Sequence, residues 1–158
     1  RMDVEDMNML SVEKVYVAKD NYETFEKEIR GLYEFLHIFK SDLENVEIEK
    51  KEDGDKYICE LVMTYDGYRV NAEFESTGIK KLIKLYAYIK EMKRGGIVFI
   101  DEFDANLHDV YLCALLEYLM EYGEGQLCFT THNIGPMDVL KKHRKSIDFL
   151  SIDNEVIQ

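Results

Sequence analysis

Two acidic residues follow a short, continuously apolar run. Ile97 to Ile100 leads directly into Asp101 and Glu102. An apolar run bounded by glycines and acids is typical of a strand buried on both faces, and ligands of open α/β sheets bind at the carboxyl ends of the strands. Because two carboxylates there are costly unless a cation or a water uses them, one is suited to holding Mg²⁺ and the other to polarising an attacking water. An acidic loop that simply ends the strand is the alternative.

A histidine follows a second apolar run in the same way. Residues 127–129 lead into two hydroxyl residues, Thr130 and Thr131, and then into His132 and Asn133. They come roughly thirty residues after the acidic pair, which is the usual size of a strand–helix–strand crossover. We therefore expect His132 to lie beside the two acids. A lone histidine at a strand end is more often structural than functional, but its pairing with the acids favours a functional role.

A third group combines hydroxyl side chains with a glycine at the start of a helix. Ser76, Thr77 and Gly78 precede a run with apolar residues at three- and four-residue steps, which predicts an amphipathic helix that ends before Gly95. The free backbone N–H groups of a helix N-terminus can bind an anion, and a glycine lets a ligand approach the backbone. Ordinary capping of the helix by a hydroxyl is the alternative.

These groups must be positioned by elements that alternate between strand and helix. The polar residues 104–108 form a loop, from which Asn106 or His108 begins the next helix. Alternation of this kind predicts an α/β fold whose parallel core strands are joined by crossover helices. The predicted elements are a strand at 97–100, a helix at 108–122, a buried strand at 127–129, a short helix at 136–142 and a hairpin over 147–157.

The residues before this region predict a different arrangement. Val12, Val15 and Val17 indicate a short strand, and residues 22–43 show the spacing of an amphipathic helix with Asn21 as its N-cap. Next comes an antiparallel β-meander with one apolar face and one wet face. Its strands are predicted near 46–49, at 57–65 and at 68–75, with turns at 52–55 and at 66–67.

Length and composition indicate one domain with a sizeable core. The chain has 158 residues, of which 46% are apolar. We expect a single domain made of an N-terminal segment (1–45), the meander (46–75) and a C-terminal lobe (76–158).

Charge and the remaining sequence features exclude several classes of protein. The net charge of −12 argues against a stand-alone nucleic-acid binder. There is no apolar run long enough to span a membrane and no signal peptide, so we expect a cytoplasmic protein with no membrane partner. Cys59, Cys113 and Cys128 are expected to be buried apolar residues in a reducing compartment. The sequence contains neither G-x-x-x-x-G-K-[ST] nor G-x-S-x-G.

In this order, the motifs resemble the C-terminal half of an ABC-type ATPase head of the AAA family, in the group of bacterial ATPases related to RecF, SMC and OLD proteins. Residues 75–82 are similar to the signature motif in its Glu-Ser-x-Gly-x-x-x-Leu variant, and residues 97–102 are similar to Walker B. Residues 104–108 resemble the D-loop, and 131–133 resemble the switch-histidine region. The resemblance covers about residues 46–158 and implies a P-loop NTPase-like fold.

The resemblance implies a role for each residue at the two strand ends. Asp101 would position Mg²⁺, Glu102 would orient or activate the hydrolytic water, and His132 would contact the γ-phosphate of ATP. Phosphoryl transfer depends on these functions and not on a covalent nucleophile. ATP and Mg²⁺ are thus the implied cofactors of the complete protein.

The resemblance also implies a homodimer formed around ATP. Ser76, Thr77 and Gly78 would clamp the γ-phosphate of ATP held by a partner head, and Asn106 would lie near the dimer seam. Activity in bacterial DNA repair or anti-phage defence would follow. An effector protein is a further candidate partner, and nucleic acid would be contacted only through other regions.

The phosphate-binding Walker A segment of this family lies on the N-terminal side and is missing from the sequence. Together with Arg1 in place of an initial methionine, this favours a fragment of a longer protein, with a split subunit or a degenerate head as alternatives. The missing lobe is then an implied partner. We expect the 158-residue chain alone to bind ATP weakly or not at all and to hydrolyse none.

Two other functions compete with the ATPase. One is a non-catalytic acidic module that binds a basic partner. The other is a metal-dependent nuclease or phosphatase that uses Asp101, Glu102, Asp104 and His132. The discriminating observation is spatial, because the ATPase requires Asp101, Glu102 and His132 to lie at one edge of the sheet.

Overall fold

The computed structural model describes residues 13–133, 135–136 and 138–140, and the backbone of two short strands at 152–153 and 156–157. Val12, the start of the predicted terminal hairpin and residues 137 and 141–142 of the predicted short helix lie outside them. Among the helices described, none combines the length and the hydropathy that crossing a membrane requires.

A four-stranded antiparallel sheet forms the first layer. Its strands are β1 (Val15–Ala18), β2 (Leu43–Asp53), β3 (Lys56–Tyr65) and β4 (Tyr68–Asn71). The central strand β3 pairs with β2 along one edge, and β1 and β4 share its other edge. Gly54 and Gly67 occupy the turns with φ of 61° and 79°, which is why a glycine stands in each Asp-Gly turn. The predicted meander is confirmed.

Helix α1 (Tyr22–Phe39) covers the apolar face of this sheet. The prediction that this helix continues to Leu43 was wrong, since Lys40 leaves the helical region and Leu43 opens β2 as a buried residue. Leu43 lies four residues after Phe39, which is the spacing that a continuing helix would also show. Asn21 occupies the N-cap position as predicted, but it also ends a short 3-10 turn and its side chain makes no capping hydrogen bond.

The last meander strand is shorter than predicted. β4 ends at Asn71, and residues 72–74 form a 3-10 turn instead of continuing the strand to Glu75. The Asn71 side chain accepts a hydrogen bond from the Glu73 N–H at 3.0 Å. This local bond offers the backbone an alternative to the sheet ladder.

The second layer contains the predicted alternation of helix and strand. Its elements are α2 (Thr77–Lys93), β5 (Ile97–Ile100), α3 (Asp109–Tyr122) and β6 (Gln126–Phe129). β5 and β6 pair in parallel, with α3 as the crossover, and α2 packs against both α1 and β5. The contact of the two helices is close at Gly31, where an added Cβ would overlap the Tyr86 hydroxyl.

The prediction that β5 and β6 are buried on both faces was wrong for the described residues. Val98 is 6% exposed, but its neighbours Ile97 and Phe99 are 61% and 75% exposed. Cys128 of β6 is exposed as well. The core covers one face of this parallel pair and leaves an apolar face open.

The cysteines differ from one another. Cys59 is buried in the meander, and this burial raises the pKa of its thiol. Cys113 is half-buried, so the expectation of three buried cysteines holds only for Cys59. At the end of the chain, β7 (Ile152–Asp153) pairs antiparallel with β8 (Val156–Ile157), as predicted for a hairpin.

Candidate functional site

The ends of the parallel strands bring the acidic pair together with β6. The last paired residues are Ile100 and Phe129, so Asp101 and Thr130 are the next neighbours. The Thr130 hydroxyl donates a hydrogen bond to the Asp101 carboxylate. It also accepts the Glu102 N–H at 2.9 Å, so one threonine joins both acids to the end of β6. The sequence analysis placed Thr130 in the motif after the second apolar run but gave it no role.

Glu102 has an unusual backbone conformation. Its φ is 47°, in the left-handed region that residues other than glycine rarely occupy. Its carbonyl accepts hydrogen bonds from the Ala105 N–H at 3.0 Å and from the Lys81 Nζ at 3.4 Å. The residue is exposed, so its carboxylate is accessible to water.

His132 lies two residues beyond Thr130 and is exposed. The chain therefore brings it to the same edge of the sheet as Asp101 and Glu102. Within the described part of the chain, no hydrogen bond or ion pair connects its imidazole to either acid. His132 is thus available to a ligand at this edge.

Ser76 caps the start of α2. Its hydroxyl accepts the Ile79 N–H at 3.4 Å, and its own N–H donates to the Glu75 carboxylate at 3.1 Å. The Tyr65 hydroxyl donates to the other oxygen of Glu75. Thr77 follows as the first helical residue and is exposed.

Gly78 makes a close contact with α3. A Cβ at this position would lie 3.3 Å from two ring carbons of Tyr111 and 3.7 Å from the Asn106 carbonyl oxygen. The missing side chain therefore allows the start of α2 to approach α3. Asn106 is exposed and has a φ of 63°, so a second left-handed residue lies beside the helix start. His108 precedes α3, but its side chain makes no capping hydrogen bond.

We call residues 76–78, 101–109 and 130–133 the rim. It contains all seven residues that the sequence analysis selected for the site. Lys81 of α2 donates a hydrogen bond to the Glu102 carbonyl. This bond connects the helix that begins with residues 76–78 to the loop at 101–109.

The donors of the rim fit Mg²⁺ shared with a phosphate. Mg²⁺ usually takes one or two carboxylates and fills its remaining positions with water and phosphate oxygens. The Asp101 carboxylate is exposed and accepts a single described hydrogen bond, from Thr130. Over the described residues, no group of three or more His, Cys, Asp or Glu side chains could hold a metal.

One carboxylate oxygen of the rim is buried. Asp104 Oδ1 has no hydrogen-bond partner among the described residues. Asp104 stands two residues after Glu102 and accepts the Leu107 N–H through its backbone carbonyl, at 3.0 Å. The backbone of Asp104 therefore helps to fix the conformation of the loop between β5 and α3.

Comparison with solved structures defines the class of fold. The chain is similar to an Smc head bound to the C-winged helix domain of ScpA, with a TM-score of 0.59 and 20% identity over 75% of this chain and 38% of that one. It is also similar to an Smc head domain with an extended coiled coil, bound to the C-terminal domain of ScpA and derived from Pyrococcus furiosus. The TM-score is 0.55, with 21% identity over 77% of this chain and 31% of that one.

A third similar structure belongs to a study of ATP-driven dimerization and DNA-stimulated activation of SMC ATPases. Its TM-score is 0.52, with 19% identity over 86% of each chain. The chain thus has the P-loop NTPase fold of an ABC-type ATPase head, and it spans about a third of the length of the first two Smc chains. This confirms the fold that the motifs implied.

The sequence family is shown independently. The chain belongs to the family described as "AAA domain, putative AbiEii toxin, Type IV TA system", whose model matches residues 5–138. Among curated proteins, no sequence matches the chain significantly.

Proposed function

We propose that this chain is the part of an ABC-type ATPase head that carries the metal-binding and water-orienting acids. The observation that carries the proposal is the double hydrogen bond of Thr130 to Asp101 and to the backbone of Glu102. It brings two acids and the segment with His132 to one edge of a parallel sheet, where α/β proteins bind ligands. The reaction is hydrolysis of ATP to ADP and phosphate.

Each group at this edge has a distinct role in the proposed reaction. Asp101 would hold Mg²⁺, which neutralises charge on the phosphates when bound. The Glu102 carboxylate would orient the attacking water and accept its proton. His132 would donate a hydrogen bond to a γ-phosphate oxygen and so stabilise the charge of the transition state.

Residues 76–78 of the rim have a separate role in the proposal, because their nucleotide is held by a second head. Ser76, Thr77 and Gly78 begin a helix of seventeen residues, and the positive end of such a helix favours a phosphate. In our proposal they bind the γ-phosphate of ATP held by a second head, with Asn106 beside them at the seam. ATP-driven dimerization is the subject of the third SMC structure, which supports a homodimer here.

A further lobe is part of the proposal. The open face of β5 and β6 exposes Ile97 and Phe99, and parallel sheets are normally covered on both faces. The printed sequence contains no G-x-x-x-x-G-K-[ST] segment. A lobe that supplies this segment and packs on the open face would complete the head.

The family description supports a role in bacterial defence, since it refers to a putative toxin of a toxin–antitoxin system. A role in DNA repair is the alternative, and the study of the third SMC structure concerns DNA-stimulated activation. We propose a cytoplasmic location because the described cysteines are unpaired and free thiols persist in a reducing compartment. The net charge of −12 keeps a non-catalytic module that binds a basic partner as the competing function.

Replacement of Glu102 in the full-length protein tests the proposal. Glu102→Gln should reduce ATP turnover by about 10²–10⁴-fold, the usual contribution of a general base, and ATP-bound dimers should accumulate in size-exclusion chromatography. Glu117→Gln is the matched control, because Glu117 is an exposed glutamate on α3 away from the rim. Unchanged turnover in Glu102→Gln contradicts the assignment, and absence of turnover in the wild-type protein favours the binding module.

A further inference from the structure

The segment that carries His132 is held by local hydrogen bonds on both sides of the histidine. The Thr131 hydroxyl accepts the Asn133 N–H at 3.0 Å and donates to the Asn133 carbonyl at 3.2 Å. His132, between these two residues, is exposed. Its backbone position therefore depends on where Asn133 is anchored.

The anchor is a contact between the Asn133 side chain and α3. Asn133 Nδ2 donates a hydrogen bond to Asp109 Oδ1 at 2.6 Å, and Asn133 Oδ1 accepts the Gly135 N–H at 3.2 Å. Hydrogen bonds to an ionised carboxylate are shorter and about twice as strong as neutral ones. The amide of Asn133 thus uses both its donor and its acceptor groups.

Asp109 is the first residue of α3 and follows the loop that begins at the acidic pair. An acid in the first turn also stabilises a helix through the macrodipole, so its position alone does not indicate a functional role. Its bond to Asn133, however, joins the loop that starts at Glu102 to the loop that carries His132. Thr130 joins the same two loops at their base through Asp101.

We propose that Asp109, acting through Asn133, is a positioning residue that holds His132 in register with Asp101 and Glu102. This inference rests on the proposed function, in which His132 contacts the γ-phosphate. Phosphoryl transfer depends almost entirely on positioning and charge stabilisation, and a displacement of about 1 Å can reduce a rate roughly a hundredfold.

The two side chains allow a swap that isolates this one hydrogen bond. Asn133→Asp retains the oxygen that accepts the Gly135 N–H but places a carboxylate against the Asp109 carboxylate. Asp109→Asn retains an acceptor for Asn133 while removing the charge at the helix start. Combining the two changes restores the hydrogen bond with donor and acceptor exchanged.

Steady-state ATPase kinetics of the full-length protein provide the first test. Asn133→Asp should lower kcat by about tenfold to a hundredfold with little change in KM for ATP. Asp109→Asn, which keeps the acceptor but loses its charge, should lower kcat less than Asn133→Asp does, and the double variant should recover most of the kcat that Asn133→Asp loses. In a His132→Ala background, Asn133→Asp should change kcat by less than about twofold, because both changes remove the same contribution.

Hydrogen exchange of the same full-length proteins provides a readout that does not depend on activity. The amides of residues 130–135 should exchange faster in Asn133→Asp and regain protection in the double variant. Failure of the swap to restore protection overturns the proposal, as does an equal loss of kcat with and without His132. If the wild-type protein hydrolyses no ATP, the proposed function fails, and the exchange data still decide whether Asp109 holds the segment.

Discussion

The meander, α1 and the α2 helix that packs on α1 share one core, and we call these three parts together the meander layer. The meander layer and the rim use their residues in opposite ways. In the meander layer, large apolar side chains such as Phe25, Leu36 and Met63 are 0% exposed. In the rim, Asp101, Glu102 and His132 are exposed, and Glu102 and Asn106 occupy left-handed backbone conformations.

This difference shows which part of the chain provides stability and which part provides chemistry. Burial of apolar side chains is the dominant favourable term in folding, and the meander layer contains most of the core. Strained backbone conformations such as those of Glu102 and Asn106 lower stability and persist where the surrounding structure holds them in place. The meander layer is therefore the support on which the rim is held.

The largest expected effect is on the free energy of unfolding and distinguishes a buried phenylalanine from an exposed one. In the 158-residue chain, Phe25→Ala should reduce the free energy of unfolding by about 3–5 kcal/mol, because it leaves a cavity in the core. Phe99→Ala should change it by less than about 0.5 kcal/mol, since Phe99 is 75% exposed on the open face of β5. Urea denaturation measures both, and equal losses would show that the two regions do not differ in this way.

An intermediate effect concerns alkaline pH. Burial first, and then the Glu28 carboxylate, raise the pKa of the Tyr86 phenol from 10.0 to about 12. Above pH 10 the unfolded chain loses this proton while the folded chain keeps it. The free energy of unfolding should therefore fall between pH 10 and about 12, by about 1.4 kcal/mol per pH unit for one proton.

Tyr86→Phe should flatten this part of the profile, as measured by urea denaturation at several pH values. Tyr88→Phe is the control, because Tyr88 lies on the same helix and is 41% exposed. Tyr65 should add a decline of the same sign, since burial and the Glu75 carboxylate also raise its pKa. If Tyr86→Phe and the wild type show the same dependence of the unfolding free energy on pH, burial in the meander layer does not raise the pKa of Tyr86.

The smallest expected effect on stability lies in the rim. Ser76→Ala should lower the free energy of unfolding by about 1 kcal/mol, and Ser76→Gly by only a few tenths, because glycine is tolerated at an N-cap. In the full-length protein, the proposed contact with the γ-phosphate predicts a loss of ATP turnover in both variants. If the loss of ATP turnover in the two variants only parallels their loss of stability, Ser76 is an ordinary helix cap and does not contact the γ-phosphate.

Local patterns predicted much of this architecture. The Asp-Gly turns, the period-two strands and the long amphipathic helices were predicted because each depends on neighbours in the sequence. Leu43 shows the limit of such patterns, since four-residue spacing is shared by a helix that continues and a helix that has just ended. The role of Thr130 was not predicted because it depends on Asp101 and Glu102, which follow another strand.

The sequence by itself determined the order of the elements, seven candidate residues of the rim and the family, because these follow from residue types and their spacing. Only the tertiary structure decided that Thr130 joins both acids, that Gly78 lies against Tyr111, and that one face of β5 is open. These features depend on contacts between residues far apart in the chain. Such contacts are set by packing and strand pairing, which leave no periodic trace in the sequence.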